Sequence, residues 1–418
     1  MDAVTPTLAD AQLADRDDPL AAFGELFLAP EDDGLVAYLD GNSLGRPPRA
    51  TADRLAQIVR GEWGSRLIRS WTEGGPGDRW WDAPTRVGDL LGAGVLGAAA
   101  GQVVVADSTT VCLYKALRAA VAMRPGRDEI VTDRHNFPTD RYVVEGIADE
   151  LGLIIRWIES DPDGGVSADE VAEVLSERTA VVTLSHVAYR SAHIADLPGL
   201  TRLAHDAGAL TVWDLCHSAG AIPVDLDATE ADFAVGCTYK FLCAGPGAPA
   251  FVYVREVHHA ELAQPIRGWV GADEPFEMGP THVPATGIRR MLSGTPPVLA
   301  MVGVEEGARI VADAGIDAIR AKGVALTELV CALADAWLLP LGFRVASPRD
   351  PAVRGAHVTL ARADARALAA RLIAAGVIID FRAPDGIRVG VSPLTTTHEE
   401  VWRAMDVIRE LAGDGAST

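Results

Sequence analysis

Lysine is scarce in this sequence: the 418-residue chain contains only Lys115, Lys240 and Lys322, although arginine is plentiful. Positive charge is also scarce overall, because 58 acidic residues against 37 basic ones give a formal net charge of -21. Nucleic-acid binding without sequence preference relies on lysine and arginine to neutralise phosphates. A chain as acidic as this one is therefore poorly suited to it. We therefore expect no nucleic-acid partner.

Cysteines and long apolar runs are few as well. The five cysteines are an odd number without a CxxC pair, which favours a reducing compartment over a disulfide framework. No uninterrupted apolar run reaches the roughly 18 to 20 residues of a membrane span. The acidic N-terminus, MDAVTPTLAD, lacks the basic and apolar regions of a secretory signal. We expect a soluble cytoplasmic protein with no membrane partner.

Several catalytic motifs are missing too. The sequence has no HExxH, no Cys/His cluster with zinc-ligand spacing, no GxSxG elbow and no GxxxxGK[ST] loop. A GxGxxG match, GAGVLG at 92–97, follows a helical segment and precedes a strand. A dinucleotide fingerprint instead follows a strand and opens a helix. Metal, serine-hydrolase, P-loop and dinucleotide-binding functions are therefore left without support.

Short apolar runs alternate with helical segments through the middle of the chain; QVVVADS, for example, precedes TTVCLYKALRAAVAM. This alternation predicts an α/β fold with a mostly parallel sheet covered by helices. From about residue 295 a long helical stretch leads to short strands, which predicts a smaller α+β domain. We place an N-terminal arm at 1–48, packing on the small domain and the active site, a large domain at 49–297 and the small domain at 298–418.

The stretch ADFAVGCTYKFLCAGPGAPAFVYV places Lys240 in apolar, glycine-rich surroundings. A lysine at a strand end usually reaches solvent, but the residues after this one are apolar or glycine and offer few solvated routes. Desolvation lowers the pKa of an amine and makes it a nucleophile suited to Schiff-base chemistry. Asp214 ends another apolar strand, where open parallel sheets bind ligands, and His217 follows it closely.

The segment DSTTV, residues 107–111, joins a predicted strand to a predicted helix. Hydroxyl and N–H groups at a helix N-terminus bind phosphate, although a plain Ser/Thr cap gives the same pattern. A phosphate loop, a strand-end aspartate and a downstream lysine are together what pyridoxal 5'-phosphate (PLP) needs. The lysine forms the aldimine, the aspartate keeps the pyridine nitrogen protonated, and the helix end holds the phosphate. We therefore predict PLP as the cofactor.

With these residues the chain resembles the fold-type I PLP enzymes, and among them the kynureninase family along nearly its whole length. The matching stretches are YLDGNSLG, NFPTDRYV, WDLCHSAGAIPVDL, YKFLCAGPGAPAFVYV, GIRRMLSGTPPVLA and DFRAPDGIRVG. The resemblance implies a hydrolase that cleaves the β–γ bond of L-kynurenine, or of a ring-substituted kynurenine, to anthranilate or its analogue and L-alanine. The pathway, tryptophan catabolism or secondary metabolism, stays open.

The resemblance also implies roles for individual residues. Lys240 would carry the cofactor, Tyr239 would contact its phosphate and help to move protons, and Asp214 would pair with the ring nitrogen. The other cofactor contacts would be Thr109, Thr110, Phe137 (stacked on the ring), Asp140, Ser185 and His217, with Trp269 and Thr295 supplied by the partner subunit of a homodimer. The substrate side would comprise Arg388, as clamp of the α-carboxylate, with Trp71, Asn42 and Ser43.

Four residues depart from the family pattern: Cys112, Cys243, Ala272 and Thr395 stand where asparagine, asparagine, histidine and tyrosine are common. These residues lie partly around the aryl side of the site. The substitution of the substrate ring therefore stays undecided between kynurenine and a 3-hydroxy or other ring-substituted analogue, although the bulky Trp71 favours an unsubstituted ring. Two other functions remain. One is a different fold-type I enzyme, such as an epimerase or a cysteine desulfurase-like lyase using Cys243, and the other is a non-catalytic binding protein.

Overall fold

The computed structural model describes residues 5–31, 34–74 and 79–414. In this part of the chain the helices α1–α11 are Leu8–Arg16, Arg49–Gln57, Ala83–Leu91, Thr109–Ala122, Pro138–Leu151, Ala168–Val174, Leu197–Asp206, Val298–Ala314, Ile316–Leu333, Ala365–Ala374 and His398–Asp414. The strands β1–β13 are Ala37–Tyr38, Val103–Ala106, Glu129–Asp133, Ile154–Ile158, Thr179–Ser185, Leu210–Asp214, Phe233–Gly236, Ala250–Val254, Arg344–Val345, His357–Ala361, Val377–Ile378, Asp380–Arg382 and Gly386–Gly390.

The largest sheet has seven strands in the order β2-β8-β7-β6-β5-β3-β4. Its strands are parallel except for β8, which runs antiparallel to both of its neighbours. Every residue of β2, β6, β7 and β8 is buried, because helices cover both faces of the sheet. This architecture confirms the predicted α/β fold with a mostly parallel sheet.

The order of the strands brings three chain segments to one sheet edge. Ser185 at the end of β5 lies beside Asp214 at the end of β6, and Asp214 in turn lies beside Val235 in β7. The loop after β7 carries Tyr239 and Lys240, so it starts next to the Asp214 carboxylate. Ligands of open parallel sheets bind at this carboxyl edge.

A second sheet has four antiparallel strands in the order β12-β13-β10-β9. Its register places Arg388 in β13 between Asp380 in β12 and Thr359 in β10. The N-terminal arm joins this part of the molecule, since β1 pairs in parallel with β11 and α1 packs against α11. The Trp402 indole N–H donates to the Pro6 carbonyl at 3.1 Å, which fixes the start of the arm on α11.

Helix α8 follows the predicted boundary at 297/298 but packs on the large sheet's side of the molecule, against α2 and α3. Its residues Met301, Val304 and Ala308 are buried in the same apolar cluster as Trp213 of β6. The division at 1–48, 49–297 and 298–418 stays a prediction.

The segment Ile316–Leu341, which begins with α9, is long and apolar enough by length and composition to span a membrane. Charged residues such as Arg320 interrupt this segment, which is why the sequence contains no uninterrupted apolar run of that length. In the structure Leu326, Val330 and Leu338 are fully buried in an apolar cluster with the four-stranded sheet. Of the most apolar 18-residue stretch of this segment, 39% is buried inside the structure.

Candidate active site

A cavity of about 240 Å³ lies at the carboxyl edge of the large sheet, and Arg382 and Arg388 of the four-stranded sheet line part of it. It brings together most of the predicted site residues: Ser43, Thr109, Thr110, Phe137, Asp140, Ser185, Asp214, His217, Tyr239, Lys240 and Arg388. The residues that line it without having been predicted are Thr139, Tyr189, Cys216 and Arg382. Three of these four stand inside quoted motifs, next to or near predicted residues; only Tyr189 had no motif to mark it.

The loop after β7 presents Lys240 on the cavity wall. Its backbone is fixed by hydrogen bonds from Cys243 N to the Lys240 carbonyl (2.9 Å) and from Gly45 N to the Tyr239 carbonyl (2.9 Å). A Cβ at Gly45 would lie 2.3 Å from the Lys240 carbonyl oxygen, so only glycine lets the arm approach this closely. The Lys240 Nζ lies 3.2 Å from His217 Nε2.

Two buried histidines lie between Lys240 and Arg388. Burial and the positive charges of Lys240 and Arg388 hold the pKa of His217 well below its ordinary value. Burial and Arg388 do the same to the pKa of His357, whose ring centroid is 5.8 Å from that of His217. Both rings are therefore neutral, and His217 Nε2 can accept a hydrogen bond from the Lys240 Nζ.

Two carboxyl groups face each other opposite these cations. Asp214 accepts from the Cys216 N–H at 2.7 Å, and the Ser185 hydroxyl lies 3.4 Å from its other oxygen. Burial, the Asp214 charge and a side-chain hydrogen bond to Asp214 raise the pKa of Asp140 well above its ordinary value. Asp140 therefore favours its protonated form beside Asp214, and the two carboxyl groups make this part of the wall suitable for one cationic N–H group.

The first turn of α4 forms another part of the wall. Ser108 caps this helix by accepting from the Val111 N–H at 3.4 Å, and Thr109 and Thr110 follow it. A second cavity, of about 460 Å³, shares Thr109, Thr110 and Tyr239 with the first and also contacts Thr295 of the same chain. Burial and two nearby thiols raise the pKa of Tyr239, so its hydroxyl keeps its proton. N–H and O–H donors here suit an anion.

The guanidinium of Arg388 is 1% exposed and is held on several sides. Its Nε donates to Asp380 at 3.0 Å, Nη1 donates to the Tyr189 carbonyl at 2.7 Å, and Nη2 donates to the Ser43 hydroxyl at 3.2 Å. Arg382 shares the same carboxylate, with its Nη2 at 2.7 Å from Asp380. Asp380 opens the quoted stretch DFRAPDGIRVG but was not predicted as a site residue; its register opposite Arg388 explains the contact.

The ring of Phe137 stands over the cavity and is 37% exposed. Its edge meets the Tyr189 ring at a centroid distance of 5.4 Å and an interplanar angle of 82°. The Phe137 N–H donates to Asn136 Oδ1 at 2.7 Å, just before α5 begins with Pro138. An aromatic face is therefore available on the side of the cavity where a planar ligand would stack.

Four predicted residues lie outside the wall of the first cavity: Thr295 lines the second cavity, and the other three lie elsewhere. Asn42 is fully buried against Gly390, and Trp71 packs edge-on against Trp80 at 5.5 Å. Trp269 lines a separate cavity of about 400 Å³ and is 37% exposed. Their assignments to substrate and cofactor stay predictions.

The residues that depart from the family pattern are mostly packed. Burial raises the pKa of both Cys112 and Cys243 to about 12, and both side chains are buried. Thr395 is buried as well, whereas Ala272 lines the cavity that contains Trp269. A thiol as enclosed as Cys243 is poorly suited to the mobile nucleophile of a desulfurase. Within the described residues, no group of three or more His, Cys, Asp or Glu side chains is arranged to hold a metal.

Comparisons with known proteins agree with this arrangement. A family described as the kynureninase C-terminal domain matches residues 319–408. The chain is similar to a kynureninase of Burkholderia pseudomallei, with 41% identity over 97% of this chain and 95% of the relative. Among solved structures, an apo cysteine desulfurase from Thermococcus onnurineus has a TM-score of 0.77 at 20% identity, covering 99% of this chain and 100% of that one.

A further solved structure, C-DES with glycine covalently linked to its PLP cofactor, has a TM-score of 0.76 at 17% identity and covers 90% of this chain and 96% of that chain. At such low identity the two structural similarities establish the fold alone. They confirm the predicted fold-type I architecture.

Proposed function

This chain belongs to the kynureninase family and is a PLP-dependent hydrolase that acts on kynurenine; we propose that the reaction takes place in the cavity around Lys240. The main support for this assignment is that the same cavity is lined by Lys240, Asp214 and Arg388, which come from different parts of the chain. The substrate would be an amino acid with an aryl ketone at its γ-carbon, and the products anthranilate and L-alanine.

The residues of the cavity fit PLP. Asp214, beside a carboxyl group of Asp140 whose pKa is raised, would pair with a protonated pyridine nitrogen. The first turn of α4, with Thr109 and Thr110, would hold the phosphate. Lys240 would carry the aldehyde carbon, and PLP, when bound, would supply the electron sink for the bonds broken at the amino acid.

Arg388 would bind the substrate carboxylate. Asp380 and the Tyr189 carbonyl hold the guanidinium in one orientation, so little side-chain freedom is lost when a carboxylate arrives. The Ser43 hydroxyl, 3.2 Å from Nη2, can turn toward the same carboxylate. This contact fixes the α-carbon of the substrate relative to Lys240.

Lys240 would move the α-proton. A free Lys240 amine is positioned as the base for the proton on the α-carbon, and the neutral His217 Nε2 at 3.2 Å can accept a hydrogen bond that orients the amine. Tyr239 keeps its hydroxyl proton and would donate it toward the phosphate or the substrate. Bond cleavage itself requires water at the γ-carbonyl and a proton at the β-carbon, which then becomes the methyl group of alanine.

A homodimer with shared sites is part of this proposal. An apolar surface of Phe276, Met278 and Val283 lies beside Trp269, and these side chains are 55%, 70% and 58% exposed. Exposed apolar surface of this kind is typical of association sites. We propose that Trp269 and Thr295 reach the phosphate of the partner's site, and that Trp71 favours an unsubstituted ring.

We also propose a cytoplasmic location. All five cysteines are unpaired thiols, which supports a reducing compartment.

Two measurements test the function. The purified holoenzyme should show an absorbance that borohydride removes, and peptide mapping should then find the label on Lys240. Incubation with kynurenine should release alanine and an aromatic acid in equal amounts. A protein that takes up no PLP, or that releases sulfide from cysteine but no alanine from any kynurenine, would contradict the proposal.

A further inference from the structure

Lys115 is a buried lysine that the reaction does not use. It lies in α4, two turns beyond Thr109, and is 1% exposed. Its Nζ donates to Asp107 Oδ2 at 2.6 Å and to the Met291 carbonyl at 3.0 Å. A buried ammonium group is costly unless it is paired, so both contacts are needed to keep it there.

Asp107 is the partner that makes this lysine important for the site. It occupies the turn between β2 and α4 with a φ of +47°, a left-handed conformation that aspartate tolerates better than most residues. Asp107 lines the same cavity as Ser108, Thr109 and Thr110, and its side chain is 29% exposed. The wall proposed to hold a phosphate dianion therefore contains a carboxylate, which would repel the dianion if it were not neutralised.

The second contact of Lys115 is to the segment that leads to Thr295, another residue that lines that cavity. Met291 ends the turn Gly287–Met291, and Thr295 follows it four residues later on the cavity wall. The ammonium therefore connects the turn before α4 to the segment that carries Thr295. The same side chain neutralises Asp107 and holds these two segments together.

We propose that Lys115 is a positioning residue of the phosphate subsite: it cancels the charge of Asp107, so that the first turn of α4 can take a phosphate dianion. This inference rests on the proposed function, because it assumes that the subsite binds the phosphate of PLP. It makes a distinct claim, that affinity for the phosphate depends on a residue that never touches it.

The test compares two ligands that differ only in the phosphate. PLP and pyridoxal both bind covalently to Lys240, but pyridoxal has no phosphate to be repelled. Dissociation constants of both are measured by absorbance titration of the apoprotein for the wild type, Lys115→Met, Asp107→Asn and the double variant. Inorganic phosphate serves as a competitor against pyridoxal phosphate in each protein.

Lys115→Met should weaken PLP binding by about 10- to 100-fold, the effect of one uncompensated charge near an anion, and change pyridoxal binding by less than about threefold. The double variant should recover most of the PLP affinity, since its amide no longer repels the phosphate. Asp107→Asn alone should bind PLP at least as tightly as the wild type does.

Equal loss of PLP and pyridoxal affinity in Lys115→Met would overturn the inference, as would a double variant no better than the single one. If Lys115→Met does not fold, Asp107→Asn decides: weaker binding of PLP with unchanged binding of pyridoxal contradicts the charge argument. Failure of the proposed function looks different, because the wild type itself would then bind no PLP.

Discussion

Replacing Arg388 with alanine tests the carboxylate clamp. The guanidinium is 1% exposed, and Arg382 remains within 2.7 Å of Asp380 after the replacement, so the Asp380 carboxylate keeps one cationic partner. The fold should therefore survive. A substrate carboxylate, however, would lose its paired donors in a site with little access to water.

Loss of one partner of a buried charge pair costs about 2 to 5 kcal/mol. At about 1.4 kcal/mol per factor of ten, kcat/KM for kynurenine should fall by roughly 30-fold to several thousand-fold, mainly through KM. Steady-state formation of anthranilate, followed by its fluorescence, measures this directly. Arg349→Ala is a matched control, because Arg349 forms a surface pair with Asp335 far from the cavity and should change kcat/KM by less than about twofold.

The decarboxylated amine analogue of kynurenine isolates the carboxylate contact. The wild type should turn it over poorly, and Arg388→Ala should turn it over about as poorly. An unchanged KM for kynurenine, or an equal further loss with the amine, would refute the assignment of Arg388 as the clamp.

Three further predictions follow from the packing around the site. Burial lowers the pKa of His186 to about 4, so the imidazole takes up a proton at a higher pH in the unfolded chain than in the folded chain. The free energy of unfolding should therefore fall as pH drops below about 6.5. In urea titrations, His186→Gln should remove about 2 kcal/mol of the stability lost between pH 7.5 and pH 5. An unchanged pH slope would refute this. Gly45→Ala should displace the Lys240 loop and weaken PLP binding at least about tenfold, because the new Cβ would lie 2.3 Å from the Lys240 carbonyl oxygen. The control Gly61→Ala places its Cβ in open space and should bind PLP normally. Equal PLP affinities in the two variants would contradict the close approach of Gly45 to the loop. Cys243→Ser should keep at least about a third of the alanine release from kynurenine, because the thiol is enclosed, and abolished alanine release in a folded variant would give this cysteine a role in the reaction.

Much of the site could be predicted because its residues stand at the ends of apolar runs. LTVWD becomes β6 with Asp214 as its last residue, and TAVVTLS becomes β5 with Ser185 as its last residue. Parallel strands bring such ends to one sheet edge whatever the intervening sequence is. The mostly parallel sheet and the roles of Asp214 and Lys240 therefore followed from local patterns, whereas the roles of Phe137, Asp140 and Arg388 were implied only by the family resemblance.

The contacts that depend on distant pairing could not be predicted in this way. Asp380 meets Arg388 because β12 and β13 pair in one register, and the Tyr189 carbonyl reaches the same guanidinium from the large domain. Asp380 opens a quoted motif, but nothing local shows that it pairs with Arg388, and Tyr189 stands in no motif. The same holds for Lys115, whose two partners come from the turn before its own helix and from a segment 176 residues away in the chain.

Cleavage of kynurenine should depend on the Lys240 amine. Comparing anthranilate formation by the wild type and by Lys240→Ala measures this dependence. The wild type, loaded with PLP, should release anthranilate and alanine in equal amounts, and the folded Lys240→Ala variant should be slower by at least about 1,000-fold because it lacks the amine that accepts the α-proton. A wild type that releases no anthranilate, or a variant that keeps the wild-type rate, would contradict the account.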